Sequence, residues 1–249
     1  MIIGVFILFP FCFNHHQKVF HNLNIIQMKS NEELQKDVQD AIKWEPLLNA
    51  AEIGVTCKDG VVTLTGTVNN YSKKTEAEDA AKRVAGVKAV VEKIVVDFGD
   101  TSFIDDNRIA TEILSAFKWN WDVPNDTLKV KVEDGWVTLE GELEWNYQKE
   151  AAKASATKQP GVKGVINNII INLQTQDEVE RGEIEKALAL NWSLSSQNIM
   201  VNVIGNRVTL TGTVSSLYQK DEAARIAWNA PGVWNVDNKL EIIYDRLKF

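Results

Sequence analysis

Apolar residues in this chain follow two periods, and the two alternate in an order written three times. Leu34, Val38, Ala41 and Ile42 fall at i, i+4, i+7 and i+8, one face of an α-helix. Ile109, Ile113, Ala116 and Phe117 repeat that face, and Ile184, Ala187 and Leu188 keep part of it. The period then drops to two. Ile53, Val55 and Cys57 alternate with Gly54 and Thr56; Leu128, Val130 and Val132 alternate with Lys129 and Lys131; Ile199, Val201 and Val203 alternate with Met200 and Asn202. Period two predicts a half-buried strand. Asp59-Gly60, Asp134-Gly135 and Gly205-Asn206 follow, turn pairs that tolerate positive φ and join antiparallel strands in a tight hairpin.

A second helix is predicted from a stripe of small residues: Ala77, Ala80, Ala81 and Val84; Ala152, Ser155 and Ala156; Ala223, Ile226, Ala227 and Ala230. Small faces let a helix sit close on a sheet. Gly86, Gly161 and Gly232 are expected to stop it in a left-handed conformation. A last strand alternates Ile94, Val96, Phe98; then Ile169, Ile171, Leu173; then Leu240, Ile242, Tyr244. Gly66, Gly141 and Gly212 are expected to end the second strand at a bend or close backbone approach. They are spaced 75 and then 71 residues apart, too long for a solenoid unit. The expected fold class is therefore α+β: three tandem small α-β-β-α-β domains, each a three-stranded sheet with two helices on one face. Their bounds are read as 28–98, 104–174 and 177–244.

Composition narrows the chemistry. The formal net charge is −7, and each repeat unit is itself net negative. That argues against nucleic acid as a partner and against binding anionic lipid by bulk charge. The three histidines are His15, His16 and His21, so residues 28–249 contain none. A Ser-His-Asp or Cys-His arrangement and a His-containing zinc site are excluded there. The two cysteines, Cys12 and Cys57, make neither a disulfide framework nor a Cys-rich metal site. Cys57 aligns with Val132 and Val203 and is expected to be a small buried residue. Asp105-Asp106 and Asp221-Glu222 are read as carboxylates at helix starts, where they complement the dipole, rather than as an acid–base pair. No phosphate loop or dinucleotide fingerprint appears. No catalytic residue, metal or cofactor is expected.

Residues 1–27 stand outside the repeat. Ile2 to Phe13 is too short an apolar run to span a bilayer as a helix. It lacks a preceding Lys or Arg and a following small-x-small site. Met28-Lys29-Ser30-Asn31 reads as a natural start, which makes 1–27 an over-extension and the protein cytoplasmic; a degenerate export signal is the alternative.

Tryptophan and lysine supply the candidate contacts. Trp121 and Trp192 align just past the first helix of their units, and Trp136, Trp145, Trp228 and Trp234 do not recur in all three. They are expected either to fill interfaces between units or to form an exposed apolar surface. Lys73, Lys74, Lys82, Arg83 and Lys88 cluster about the second helix of unit one, where a phosphate could meet them; interleaved Glu76, Glu78 and Asp79 fit a solvated helix face as well.

The repeated element is Asp59-Gly60-Val61-Val62-Thr63-Leu64-Thr65-Gly66, with counterparts from Asp134 and Gly205 and the later Gly86-Val87, Gly161-Val162 and Gly232-Val233. Together with the element order, it resembles the BON domain family of bacteria, and all three units match. The resemblance implies a non-enzymatic module linked to osmotic or envelope stress, in the periplasm, with phospholipid membrane surfaces or envelope proteins as partners. It also implies an alternative, a soluble module that senses a small ligand or ion. The six glycines carry over as structural residues.

Overall fold

A computed structural model describes residues 29–99, 105–124, 127–172, 179–194 and 198–243. The expectations for 1–27 and for Leu173 and Tyr244 of the last strands fall outside them. Unit one comprises α1 (Asn31–Lys43), the hairpin β1 (Ile53–Lys58) and β2 (Val61–Val68), α2 (Tyr71–Arg83) and β3 (Ala89–Val96). Unit two repeats it as α3 (Asp106–Trp119), β4 (Leu128–Glu133), β5 (Trp136–Leu143), α4 (Asn146–Thr157) and β6 (Gly164–Ile171). Unit three has α5 (Arg181–Leu190), β7 (Ile199–Ile204), β8 (Arg207–Val214) and α6 (Leu217–Trp228). Its last strand is split into β9 (Asn235–Asn238) and β10 (Glu241–Ile242).

Each hairpin is antiparallel, and the third strand returns through the crossover helix to lie parallel to the middle strand. The register is the same in all three: Val61 faces Ala89, Trp136 faces Gly164 and Arg207 faces Asn235. Alternation puts one row of each sheet inside. Val62, Leu64 and Val68 of β2 are buried, as are their counterparts Val137, Leu139 and Leu143, and Val208, Leu210 and Val214. The apolar stripe of the first helix (Leu34, Val38, Ile42) and the alanines of the second (Ala77, Ala80, Ala81) close over that row, giving one core per unit. Both helices therefore share one sheet face.

In units one and two the start of the first helix is tied to the hairpin turn. Asn31 Oδ1 accepts from the Asp59 N–H at 2.8 Å; Asp106 accepts from Asp134 and Gly135 N–H at 2.8 and 2.9 Å. Asp105 makes no side-chain cap, so Asp106 bonds to the turn instead of serving only the helix dipole. Asp59 and Asp134 take φ of 53° and 50°, followed by Gly60 and Gly135 at 84° and 78°, a two-residue turn with both residues left-handed.

Two expectations about glycine are corrected. Gly66, Gly141 and Gly212 do not end the second strand; each lies two residues inside it. Their φ values are 132°, 141° and 119°. A Cβ there would lie far inside van der Waals contact with the carbonyl oxygen of Glu52, Thr127 or Asn198, the residue that leads into the first strand. The glycine is required by that backbone crossing. Gly86, Gly161 and Gly232 are left-handed, but the helices end before them, at Arg83, Thr157 and Trp228, with caps at Val84, Lys158 and Asn229. They shape the turn after the cap.

The units meet through their crossover helices, head to tail. At the N-terminal end of α2, Tyr71 packs on the core of unit two and Ser72 Oγ donates to Thr157 O at 3.2 Å, at the C-terminal end of α4. At the N-terminal end of α6, Leu217 packs on the core of unit one, and Ser215 O accepts from the Gly86 N–H at 3.0 Å, past the C-terminal end of α2. Asn146 and Glu150 near the start of α4 share a cleft with Trp228 at the end of α6. Tyr71, Asn146 and Leu217 are equivalent in the repeat; packing and a hydrogen bond make two of these junctions, and at the third α4 and α6 border a common cleft.

Gly212→Ala is expected to lower stability by at least about 2 kcal/mol, because the left-handed strain and the carbonyl clash add. Gly182→Ala, in helix α5 with nothing within 4 Å of the new Cβ, is expected to raise it by about 0.5–1 kcal/mol. Urea unfolding of the two variants against the parent checks both signs.

Candidate functional site

The loop between the first helix and the first strand is held at both ends. Behind it, the helix buries Ile42, Phe117 or Leu188 in its last turns. Ahead of it, the glycine crossing fixes the carbonyl of residue 52, 127 or 198. The end of the helix and the described residues just after it carry large apolar side chains into solvent. Trp44 is 85% exposed, Trp119 89%, Trp121 97% and Trp192 95%. Leu47 and Leu190 are exposed beside them. Trp44, Trp119 and Leu190 are equivalent in the repeat, as are Trp121 and Trp192. Each unit therefore presents an apolar tip at the same place, and unit two holds two indoles in one tip.

Trp121 and Trp192 thus fill no interface between units, and that expectation is corrected. Trp44 and Trp119 were not singled out by sequence reasoning, although the repeat spacing places them together. The other tryptophans divide. Trp145 and Trp228 are half-buried, and Trp228 packs against the core of unit three. Trp136 lies on the outer face of its sheet against the bare Cα of Gly164, where a Cβ would clash with its ring. Trp234 is exposed at the lead-in to β9.

The basic cluster is not one patch. Lys74 reaches inward, with Nζ donating to Ile94 O at 2.9 Å and pairing with Glu92 at 3.0 Å. Lys149 and Lys220 repeat this on Ile169 O and Leu240 O at 2.6 and 2.8 Å. The lysine in the first turn of each crossover helix therefore satisfies a backbone carbonyl of the last strand. In units two and three, Asn167 and Asn238 take the place of Glu92 and bridge the helix to the same strand. Lys82 pairs with Glu78 at 2.8 Å, and Arg83 with Glu45 at 2.6 Å. Lys73 is half-buried in the first turn of α2, and Lys88 lies beyond the helix with its N–H on Gly60 O. Lys74, Lys82 and Arg83 are engaged within the protein rather than offered to a phosphate.

Asp221 and Glu222 are corrected too. They lie in the second turn of α6, not at its start, and border a cleft of about 410 Å³ where α2, α4 and α6 converge. Glu222 accepts from Arg225 at 2.7 and 2.6 Å and from Asn191 at 2.9 Å; the guanidinium bonds chiefly hold its carboxyl below the usual range. Asp79 lines the same cleft without a hydrogen bond or ion pair, and burial pushes its carboxyl above the usual range despite Lys82 nearby. Cys57 packs at the edge of the first core, where burial raises its thiol. Among the described residues, no group of three His, Cys, Asp or Glu side chains could hold a metal ion, and no helix is long and apolar enough to cross a membrane.

Three measurements follow from these placements. Replacing Trp121 and Trp192 by alanine is expected to shift unfolding by less than about 0.5 kcal/mol each, since neither side chain is packed. Lys149→Ala is expected to cost about 1–3 kcal/mol, because a carbonyl loses its charged donor, whereas Lys73→Ala stays near neutral. A folded-state pKa raised at Asp79 means that its charged form opposes folding. Asp79→Asn is therefore expected to raise the melting temperature at pH 7, and the gain should fade as pH drops toward about 4.

The BON domain family matches residues 30–97, 105–172 and 176–244. Osmotically-inducible protein Y of Escherichia coli (strain K12) is 29% identical over 158 residues, which is 61% of this chain and 79% of that protein. Two solved structures of CdsD, a structural protein of the type III secretion system of Chlamydia trachomatis, one of them its C-terminal domain, align at 19% identity over 85% of this chain and 92% and 98% of theirs. Their TM-scores are 0.23 and 0.22, too low to say anything of shape. The hairpin, the crossover helix and the glycine crossing, each present three times over the matched residues, agree with the family match: the chain belongs to the BON domain family and carries three copies of the domain.

Proposed function

We propose that this chain is a non-enzymatic protein of osmotic stress that docks on phospholipid bilayer interfaces through its tryptophan tips. One observation carries the reading: four indoles and two leucines stand in solvent at or just past the end of the first helix of each unit, where folding gives them nothing to pack on. Indole prefers the boundary between headgroup and acyl chain, since its ring is apolar and its N–H stays hydrogen-bonded. Moving such a side chain from water into an apolar boundary is worth about 2 kcal/mol by area bookkeeping. The two rings of unit two together then reach the range of weak, reversible association. Bulk charge opposes binding to anionic lipid, because the chain is net −7. The tips themselves are nearly neutral: Lys43 and Glu45 flank Trp44, and Lys118 and Asp122 flank the pair in unit two. Contact is therefore led by the aromatic rings. The link to osmotic stress rests on the likeness to Osmotically-inducible protein Y.

Co-sedimentation with phosphatidylcholine vesicles, with and without phosphatidylglycerol, tests this. The intact chain is expected to bind both, with little loss in high salt. Trp119→Ala with Trp121→Ala is expected to weaken binding about tenfold or more. A chain that ignores both vesicles, or a double variant that binds as the parent does, would sink the proposal and turn attention to a protein partner for the tips.

A further inference from the structure

We propose that the cleft where the three crossover helices converge is a binding site for a small organic ammonium ion. The inference is independent of the membrane reading, since the cleft and the tips share no residue. At about 410 Å³ the cleft is large enough for a small solute and is open to solvent. All three units line it: Asp79 comes from unit one, Glu150 from unit two, and Tyr218 and Trp228 from unit three.

The sign of the ligand follows from the pairing of charges. Three cations line the cleft, and every one is already engaged. Lys82 is held by Glu78 at 2.8 Å and approaches Asp221 at 3.7 Å. Arg83 is held by Glu45 at 2.6 Å and Arg225 by Glu222 at 2.6 Å. Two carboxylates remain without a hydrogen bond or ion pair, Asp79 on the α2 side and Glu150 on the α4 rim. Asp79 is partly withdrawn from water, which is costly for an unpaired carboxylate and is relieved by a cation. Among the lining side chains an anionic solute would find no unengaged cation; Lys153 of α4, whose charge also acts on Asp79, is not one of them. A bare metal ion would find too few ligands, for no metal-competent group of three side chains occurs among the described residues. An ammonium carried on an organic body suits the lining. Its charge meets Asp79 and Glu150, and its alkyl groups meet the rings of Tyr218 and Trp228, which attract a cation over their faces.

Isothermal titration of the full chain with choline and with putrescine tests this, with potassium chloride at matched ionic strength as the control. Saturable binding of at least one organic cation at millimolar concentration or tighter is expected, with no heat from potassium chloride. Asp79→Asn keeps the shape, removes the charge and is expected to fold at least as well as the parent. It should weaken binding about tenfold, and Glu150→Gln severalfold. The proposal is overturned if neither cation binds, if potassium chloride gives the same signal, or if both variants bind as tightly as the parent.

Discussion

One backbone crossing sets the geometry of each domain. The chain leaves the first helix, turns, and enters the sheet with its carbonyl pressed against a Cβ-free position on the neighbouring strand: Glu52 on Gly66, Thr127 on Gly141, Asn198 on Gly212. The crossing fixes the hairpin register at its open end, where Ile53 faces Gly66, Leu128 faces Gly141 and Ile199 faces Gly212. With the register fixed, alternation alone decides which residues face the core. The same crossing anchors one end of the loop that carries the tryptophans, and the buried helix anchors the other. The helix end and the loop after it lie over a closed core with no interior left for an indole, so the rings stand in solvent. Exposure of this much apolar surface is costly to solubility and informative about contact.

The repeat made most of this legible. Two periods of hydrophobicity, the turn pairs and the glycine spacing were enough to read the element order, the sheet and the face on which the helices lie. Gly66 and its counterparts were placed at a close approach for the right physical reason but two residues too near the strand's end, because sequence does not show that the strand continues past them. Lys74, Lys149 and Lys220 carry a signal that went unused. The same residue at the same place in three copies marked a structural lysine, whereas proximity to Lys73 and Arg83 suggested a basic patch. Trp44 and Trp119 were available in the same way.

The meeting of the crossover helices was not legible, and the reason is physical. The residues at its three junctions, Tyr71, Asn146 and Leu217, are equivalent in position but different in chemistry, so no pattern announces a shared interface. The cleft inherits this. Its charged lining comes from three stretches far apart in sequence, and the pairing that leaves Asp79 and Glu150 without partners appears only when α2, α4 and α6 converge. Asp221 and Glu222 read as helix-start acids because the start of α6 was misplaced by one turn. Its cap is Ser216, whose hydroxyl accepts from the Gln219 N–H at 3.2 Å.

The central claim is that the tips, and not the half-buried tryptophans, meet the lipid. Fluorescence quenching by brominated phosphatidylcholine tests it most directly, with two single-tryptophan variants, one keeping Trp121 and one keeping Trp228, and phenylalanine at the other positions. Strong quenching of Trp121 with little change at Trp228 is the predicted result. Equal quenching of the two, or none of Trp121 in the presence of vesicles, would contradict it.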